Sequence, residues 1–358
     1  MIIPTPAPRH TRGSIRRPQD PIGEEAGVVR LDRNQRITPI ADAIVRELKN
    51  RLSATVIQSY PNPLPFRGSL SQSTGLSPPQ IAVTAGADAA IRLIFQAFVR
   101  PGDVVLLPTP TYSMYSTYIE IFEARHQPVP YGDDLKLDLQ RFREGLHYSP
   151  RLAVIANPDQ PTGAVLPIVV IEEFAEIAAR QGTLLLVDEV YFPFYPETAL
   201  SCLKRFSNVA LLRSFSKIFG LAGLRLGFVA SDENIIAAIE QVQGLHEVSS
   251  TALVAGDFVL NHSELIADYT REVEEGRRVL QAAASTLGLT FPACRGNFQI
   301  VGVPSRFGLD NVVRKLYEEG FRVRSLSQVP LLRNYFRVAL GGTEIMEQFA
   351  VVLRRAFC

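Results

Sequence analysis

The second half of the chain contains the stretch Ser214-Phe215-Ser216-Lys217-Ile218-Phe219-Gly220-Leu221-Ala222-Gly223-Leu224-Arg225-Leu226-Gly227. It places one lysine between hydroxyl residues and a glycine-rich turn, with an arginine eight positions later. A lysine forms an imine with an aldehyde only after it loses its proton, so burial and nearby cations must lower its pKa. Ser214, Ser216 and Arg225 are suited to hold a phosphate group. The stretch therefore indicates a lysine bound to a phosphorylated aldehyde, with a solvated surface loop as the alternative.

A second stretch, Leu184-Leu185-Leu186-Val187-Asp188-Glu189-Val190-Tyr191, is typical of a buried strand that ends in an acid. Ligands of open α/β sheets bind outside the carboxyl ends of the strands, which is where Asp188 stands. Pyridoxal 5′-phosphate (PLP) matches both stretches, because a carboxylate beside its pyridine nitrogen keeps that nitrogen protonated and the ring an electron sink. An acid that caps the next helix is the alternative reading of Asp188.

Three further stretches contribute candidate groups. Residues 81–91 predict a strand, a turn at Gly86 and a helix start, whose free N–H groups and positive dipole suit a phosphate. Residues 105–115 place Tyr112 after a strand, where it can stack on a pyridine ring or lie in the core. Residues 152–163 end in a turn with two prolines and a glycine, which favours a rigid loop at the edge of a cofactor.

The order of these five motifs, with Phe336-Arg337-Val338 near the C-terminus, resembles that of the fold-type-I PLP-dependent aminotransferases. Within them the chain is most similar to the histidinol-phosphate aminotransferase group, over roughly residues 28 to 356. The resemblance implies an α/β fold, with a mainly parallel seven-stranded sheet in a large domain and a smaller α+β C-terminal domain. The expected parts are an N-terminal arm at residues 1–27, a small domain at 28–48 and 262–358, and a large PLP-binding domain at 49–261.

The resemblance implies a role for each matching position in catalysis and PLP binding. Lys217 is expected to bind PLP covalently and to move the substrate proton, Asp188 to pair with the ring nitrogen, and Tyr191 to bond the ring hydroxyl. The other expected PLP contacts are Gly86, Ala87, Asp88, Tyr112, Asn157, Gln160, Ser214, Ser216 and Arg225. Tyr60 matches a tyrosine that members of the family extend to the partner's PLP phosphate, so a homodimer is expected.

The resemblance also implies a substrate site. Arg337 matches an arginine that grips a substrate α-carboxylate, for which a bidentate guanidinium is well shaped. Arg324 matches an arginine that binds a substrate phosphate, and Asn297 and Asn34 match residues near the substrate.

The chain departs from the group at three places. Gln160 stands where relatives have asparagine, one methylene shorter. Asn34-Gln35-Arg36-Ile37 replaces the group's N-E-N-P, and Thr343 stands at an arginine position. A buried phosphate with one guanidinium fewer is poorly compensated, which favours a substrate with a polar or singly charged side chain over a dianionic phosphate.

Composition limits the other classes of protein. The chain has 358 residues, 46% hydrophobic, which suggests about two domains with buried cores. A net charge of +1 gives no reason to expect nucleic acid, and neither a Walker loop nor a G-x-G-x-x-G motif follows a strand. Three widely spaced cysteines argue for a reducing, cytoplasmic setting and against a metal cluster. No apolar run approaches ~18 residues, so no membrane span is expected.

The pattern along the chain also predicts the architecture. Strands are predicted at about 81–83, 103–107, 151–156, 183–188, 208–213 and 226–229, and helices at about 87–99, 112–122, 168–181 and 233–245. This alternation predicts a mainly parallel sheet covered on both faces. A long charged helix follows from about residue 262, and Val312, Val313, Leu316 and Tyr317 show the spacing of a helix that packs on a core.

Three classes of function are compatible with these motifs. The first is an aminotransferase that moves an amino group between an L-amino acid, or an amine such as histidinol phosphate, and a 2-oxo acid. The second is a PLP-dependent decarboxylase or lyase similar to threonine-phosphate decarboxylase, because the motifs do not report which bond at Cα is aligned with the ring. A catalytically silent binding protein is disfavoured, because every cofactor position except Gln160 carries the expected type of group.

Overall fold

The computed structural model describes residues 27–357, so the predicted arm lies outside the described residues except for Gly27. The strands are β1 (Val29–Arg30), β2 (Ile81–Thr84), β3 (Val104–Thr109), β4 (Arg125–Pro130), β5 (Leu152–Ala156), β6 (Leu184–Asp188), β7 (Val209–Ser214), β8 (Gly227–Ala230), β9 (Phe298–Gly302), β10 (Phe321–Arg322), β11 (Arg324–Ser325) and β12 (Tyr335–Ala339). The helices are α1 (Asp42–Arg51), α2 (Ala54–Gln58), α3 (Leu64–Thr74), α4 (Ala87–Phe98), α5 (Ser113–Ile121), α6 (Leu139–His147), α7 (Ile168–Arg180), α8 (Glu233–Val242), α9 (Ser250–Leu260), α10 (Glu264–Thr286), α11 (Leu309–Glu318) and α12 (Thr343–Ala356).

A seven-stranded sheet has the spatial order β2-β8-β7-β6-β5-β3-β4. The pairs from β4 to β7 are parallel, and β8 runs antiparallel to both of its neighbours. Every residue of β2, β6 and β8 is buried, as expected for strands covered on both faces. These observations confirm the predicted α/β fold with a mainly parallel seven-stranded sheet.

The two faces of the sheet bury alternate residues of each strand in two clusters. Leu184 and Leu186 of β6 pack in the cluster that α4 and α8 cover, whereas Leu185 and Val187 pack in the cluster that α6 and α7 cover. Successive side chains of a strand point to opposite faces, so one apolar run supplies both cores.

Two smaller sheets are formed mainly by strands C-terminal to this unit, joined by β1 from the start of the described chain. One is antiparallel with the order β11-β12-β9, and the other pairs β1 with β10 in parallel. The β1 pairing joins Val29 to Phe321, so the start of the described chain packs with its C-terminal part. This arrangement agrees with the predicted small domain, although the exact domain bounds stay a prediction.

Some predicted details differ from the structure. Strand β4 was absent from the prediction, because its sequence Arg125-His126-Gln127-Pro128-Val129-Pro130 has two prolines and only Val129 is buried. Proline is tolerated there because β4 is an edge strand. Val312 and Leu316 are buried as predicted, but Tyr317 is 41% exposed, since it lies towards the solvent side of α11.

The fold brings the candidate residues to one edge of the large sheet. Asp188 and Ser214 end β6 and β7, and Gly86 precedes α4 at the end of β2. Within residues 27–357, no helix has the length and apolarity needed to cross a bilayer. The same residues contain no group of three or more potential metal ligands.

Candidate active site

One cavity at this edge gathers most of the predicted cofactor residues. Its predicted lining residues are Ala87, Asp88, Tyr112, Gln160, Asp188, Tyr191, Ser214, Ser216, Lys217 and Arg225. They come from five separate stretches of the sequence, which only the fold brings together.

The turn after β7 presents Lys217 to the cavity. Phe215 and Ile218 beside it are buried in the core, and the backbone N–H of Leu221 donates to the carbonyl of Phe215 over 3.1 Å. These contacts leave Ser216 and Lys217 facing the cavity. Burial, and after it the guanidinium of Arg337, lower the pKa of Lys217 to about 8. A substantial fraction of the amine is therefore neutral and nucleophilic near neutral pH.

Asp188 lies at the bottom of the cavity and is buried. Burial raises the pKa of Asp188 to about 6, against the effect of a 2.7 Å hydrogen bond that the phenol of Tyr115 donates to its Oδ2. The backbone N–H of Val190 donates to Oδ1 over 3.1 Å. A cation such as a protonated pyridine nitrogen would compensate this buried carboxylate.

The N-terminus of α4 forms the phosphate end of the cavity. Gly86 has φ +82°, and a Cβ at this position would come within 2.9 Å of Nη2 of Arg225. Glycine therefore lets the guanidinium approach the free backbone N–H groups at the helix start. Asp88 accepts from Arg225 over 3.2 Å and from the phenol of Tyr112 over 2.8 Å, which fixes both side chains at this end.

Tyr191 and Gln160 meet at another corner of the cavity. The phenol of Tyr191 donates to Oε1 of Gln160 over 3.3 Å and accepts from Nδ2 of Asn34 over 2.9 Å. Burial raises the pKa of Tyr191 to about 12, so the phenol keeps its proton. Although glutamine is longer than the asparagine of relatives, its side chain still lies beside Tyr191 in the cavity wall.

Arg337 lies close to this corner and is buried. Its Nη2 donates to the carbonyl of Asp32 over 2.8 Å, while its buried Nε has no hydrogen-bond partner among residues 27–357. The register of β11 and β12 places Arg324 directly opposite Arg337. Asn297 donates to the carbonyl of Asn34 over 3.0 Å, which anchors the backbone beside both arginines.

The structure does not bring every predicted residue into the cavity. Both amide atoms of Asn157 bond the backbone of Leu166, at 3.1 and 2.8 Å, so this side chain secures the loop, and its predicted PLP contact stays a prediction. Tyr60 is 83% exposed and stacks on His246, with ring centroids 4.5 Å apart, away from the cavity of its own chain. Its predicted role across an interface stays a prediction.

Two side chains at the site were not predicted from the sequence. Tyr115 lies three residues after Tyr112 and therefore on the same side of the start of α5, a spacing that makes it a candidate. Asp159, buried beside Gln160, accepts hydrogen bonds from Thr111 and Tyr131. Its partners stand far away in the sequence, so no local pattern indicates them.

The groups that line this cavity fit PLP. The cavity offers the Lys217 amine with its lowered pKa, a buried carboxylate for a ring nitrogen, and a helix N-terminus with an arginine for a phosphate. Lys217, Asp188 and Arg225 would hold these three parts of the cofactor.

Comparisons with known proteins agree with this arrangement. A sequence profile of the family "Aminotransferase class I and II" matches residues 26–353. Histidinol-phosphate aminotransferase of Thermoanaerobacter sp. (strain X514) is 30% identical over 318 residues, which cover 88% of this chain and 89% of that protein.

Solved structures show the same fold. Histidinol-phosphate aminotransferase from Sinorhizobium meliloti, in complex with PLP, superposes with a TM-score of 0.84 at 24% identity, over 92% of this chain and 90% of that one. L-threonine-O-3-phosphate decarboxylase from Porphyromonas gingivalis superposes with a TM-score of 0.77 at 20% identity, over 92% and 99%. The profile match over most of the residues, together with the cavity, leads to one conclusion: the chain belongs to the class I and II aminotransferases and is a PLP-dependent aminotransferase.

Proposed function

We propose that this aminotransferase transfers the amino group of an amine that carries a strongly anionic group, of the histidinol phosphate type, to a 2-oxo acid. The observation that carries the proposal is the pair Arg324 and Arg337, which stand opposite each other on β11 and β12, with Arg337 close enough to Lys217 to lower its pKa. Like charges directly opposite on neighbouring strands repel, and an anion bound between them relieves that repulsion.

The pair of Arg324 and Arg337 favours a phosphorylated substrate, contrary to the expectation from the sequence. Sequence reasoning favours a singly charged substrate because Thr343 replaces an arginine of the group. Burial lowers the pKa of Arg337, Tyr191 raises it, and the guanidinium of Arg324 on the neighbouring strand lowers it. We infer from this mutual effect that both guanidiniums act on the same substrate anion, with Arg324 on the exposed side. Two guanidiniums are sufficient to compensate a dianion through charge-assisted bonds. The relatives named histidinol-phosphate aminotransferase support the same choice.

The residues of the cavity divide the chemistry between them. When bound, PLP supplies an electron sink that stabilises negative charge at the substrate Cα. Lys217, whose pKa is about 8, would take the proton from the substrate Cα and deliver it to C4′ of the cofactor, because both of its forms are accessible at neutral pH. Asp188 keeps the ring nitrogen protonated, and Arg337 orients the substrate by its anionic group.

We further propose that the enzyme acts as a homodimer in which Tyr60 reaches the phosphate end of the partner's cavity. Ile57, Tyr60, Leu64 and Leu245 are large apolar side chains exposed by 72, 83, 64 and 89%. Exposed apolar groups of this size on neighbouring segments favour a protein interface. Cys202 and Cys294 are free thiols, which supports the expected cytoplasmic setting.

The dependence on a 2-oxo acid tests the reaction type. A transaminase stops after one amino transfer unless a 2-oxo acid is supplied, whereas a decarboxylase turns over without it and releases carbon dioxide. The structural likeness to the decarboxylase reflects the shared fold only. Continuous turnover without a 2-oxo acid would contradict the proposal.

The substrate class is tested by the ratio of kcat/KM for histidinol phosphate to that for unphosphorylated amino acids. Arg324→Ala should lower kcat/KM for histidinol phosphate roughly tenfold to a hundredfold, because a charge-assisted bond contributes about 1.5–3 kcal/mol. The exposed Arg333 offers a control, and Arg333→Ala should leave the ratio unchanged. A wild-type preference for unphosphorylated amino acids would refute the phosphate assignment and leave the aminotransferase activity intact.

A further inference from the structure

Asp159 is a buried carboxylate to which the chemistry described above gives no role. It is 1% exposed and directly precedes Gln160 of the cavity wall. Its Oδ1 accepts from the hydroxyl of Thr111 over 2.6 Å, and its Oδ2 accepts from the phenol of Tyr131. The backbone N–H of Gln160 donates to the same carboxylate.

These donors connect two segments that reach the cofactor cavity. Thr111 immediately precedes Tyr112, and Asp159 immediately precedes Gln160; both following residues line the cavity. The loop around Asp159 is also closed by its own backbone, since Asp159 donates to the carbonyl of Ala164 over 2.9 Å. One side chain therefore ties the turn after β3 to the loop after β5.

The ionised form of Asp159 is the form that satisfies all three donors. A carboxylate accepts on both oxygens, whereas a carboxylic acid must donate from one of them. The titratable groups that face it are Tyr131 after β4, Tyr115 on α5 and Asp188 at the end of β6. Burial, with a smaller contribution from Asp188, raises the pKa of Asp159 to about 7 although the three donors lower it.

We propose that ionised Asp159 is a positioning residue, which holds Tyr112 and Gln160 in the arrangement that binds the cofactor. On protonation, one hydroxyl donor loses its acceptor and the two segments are no longer fixed to each other. Cofactor affinity then weakens on acidification, in the neutral range rather than near pH 4, where an exposed aspartate titrates. This inference rests on the proposed function, because it takes the Lys217 cavity as the PLP site.

The test is the affinity of the cofactor-free enzyme for pyridoxamine phosphate, which has no aldehyde and so does not bind Lys217 covalently. We expect the wild type to lose about tenfold in affinity, relative to Asp159→Asn, as the pH falls from about 8 to about 6. Asp159→Asn keeps the shape of the side chain without its titration, so its profile should lack this step. Thr111→Val should move the step to higher pH, because one donor that favours the ionised form is gone.

A matched control is Thr183→Val, which removes a buried hydroxyl with a 2.6 Å hydrogen bond to the carbonyl of Pro150. It should alter stability without moving the pH step. If Asp159→Asn fails to fold, Tyr131→Phe replaces it: like Thr111→Val it removes a hydroxyl donor and should move the step to higher pH, and an unmoved step would overturn the inference. Superimposable profiles of the wild type and Asp159→Asn, or of Thr111→Val and Thr183→Val, overturn the inference. A wild type that binds no pyridoxamine phosphate at any pH refutes the proposed function itself, and the inference with it.

Discussion

The phenol of Tyr115 donates a 2.7 Å hydrogen bond to Oδ2 of Asp188, and both side chains are buried. This bond lowers the pKa of a carboxylate that burial raises to about 6. In its proposed role beside the ring nitrogen of PLP, Asp188 must stay ionised, so that role depends on the buried Tyr115.

Tyr115→Phe should therefore raise the pKa of Asp188 and lower kcat/KM roughly tenfold, because a hydrogen bond to a charged group contributes about 1.5–3 kcal/mol. The measurement is the pH profile of kcat/KM. Its acid limb should move to higher pH in the variant. The partly exposed Tyr317 supplies the control, since Tyr317→Phe should leave the profile in place. An unchanged profile in Tyr115→Phe would mean that the bond has no influence on Asp188.

The cofactor-free enzyme should become less stable as Asp188 ionises. The pKa of Asp188 is about 6 in the folded protein and 3.8 in the unfolded chain. Between pH 3.8 and about 6, the folded state therefore binds this proton more tightly than the unfolded chain does. The contribution of Asp188 to stability is thus greatest below about pH 4 and falls by about 2 kcal/mol towards pH 6. Urea unfolding at several pH values measures it as the difference between the wild type and Asp188→Asn. A difference that grows in favour of the wild type as the pH rises would contradict this sign.

Incorporation of PLP into the cofactor-free enzyme should accelerate as the pH rises through about 8, because the neutral amine of Lys217 is the reacting form. Arg337→Ala should shift this rate profile to higher pH, since the guanidinium helps to lower the pKa of Lys217. Stopped-flow absorbance follows the reaction. The exposed Arg295 serves as the control, and Arg295→Ala should reproduce the wild-type profile. If Arg337→Ala also reproduces the wild-type profile, the guanidinium of Arg337 does not lower the pKa of Lys217.

Much of the fold was predictable from local pattern. The strands that end in Asp188 and Ser214 are continuous apolar runs, and the ends of parallel strands meet at one edge. Edge strand β4 was not predicted, because it is largely exposed, contains two prolines and lacks the apolar run of the buried strands of the same sheet.

The candidate site was predictable where one motif carries both a residue and its context, as for Lys217 and Arg225. It was not predictable where the partner is distant in sequence. Asp159 bonds Thr111, and Asn157 turns its amide to Leu166 rather than to the cavity. Such contacts depend on how loops pack against one another, which the order of motifs does not encode.

The proposed contribution of Tyr60 to the partner's cavity is tested by mixing one weakened and one inactive chain. Tyr60→Phe weakens the phosphate end, and Lys217→Ala removes the amine. In a mixed dimer one cavity would contain the Lys217 of one chain and the Tyr60 of the other, so activity should rise above that of either parent. The controls are the two variants taken separately through the same mixing procedure. Mixed dimers no more active than the better parent would rule out the arrangement.

The central claim is that Lys217 carries PLP in a cavity built by Asp188, Arg225 and the start of α4. Reduction of the holoenzyme with borohydride fixes the cofactor to the amine that holds it, and peptide mass spectrometry then locates the modified lysine. We expect the phosphopyridoxyl group on the peptide that contains Lys217, and its absence, with loss of the near-visible absorbance, in Lys217→Ala. A modified peptide with a different lysine, or an unchanged spectrum of the reconstituted Lys217→Ala protein, would contradict it.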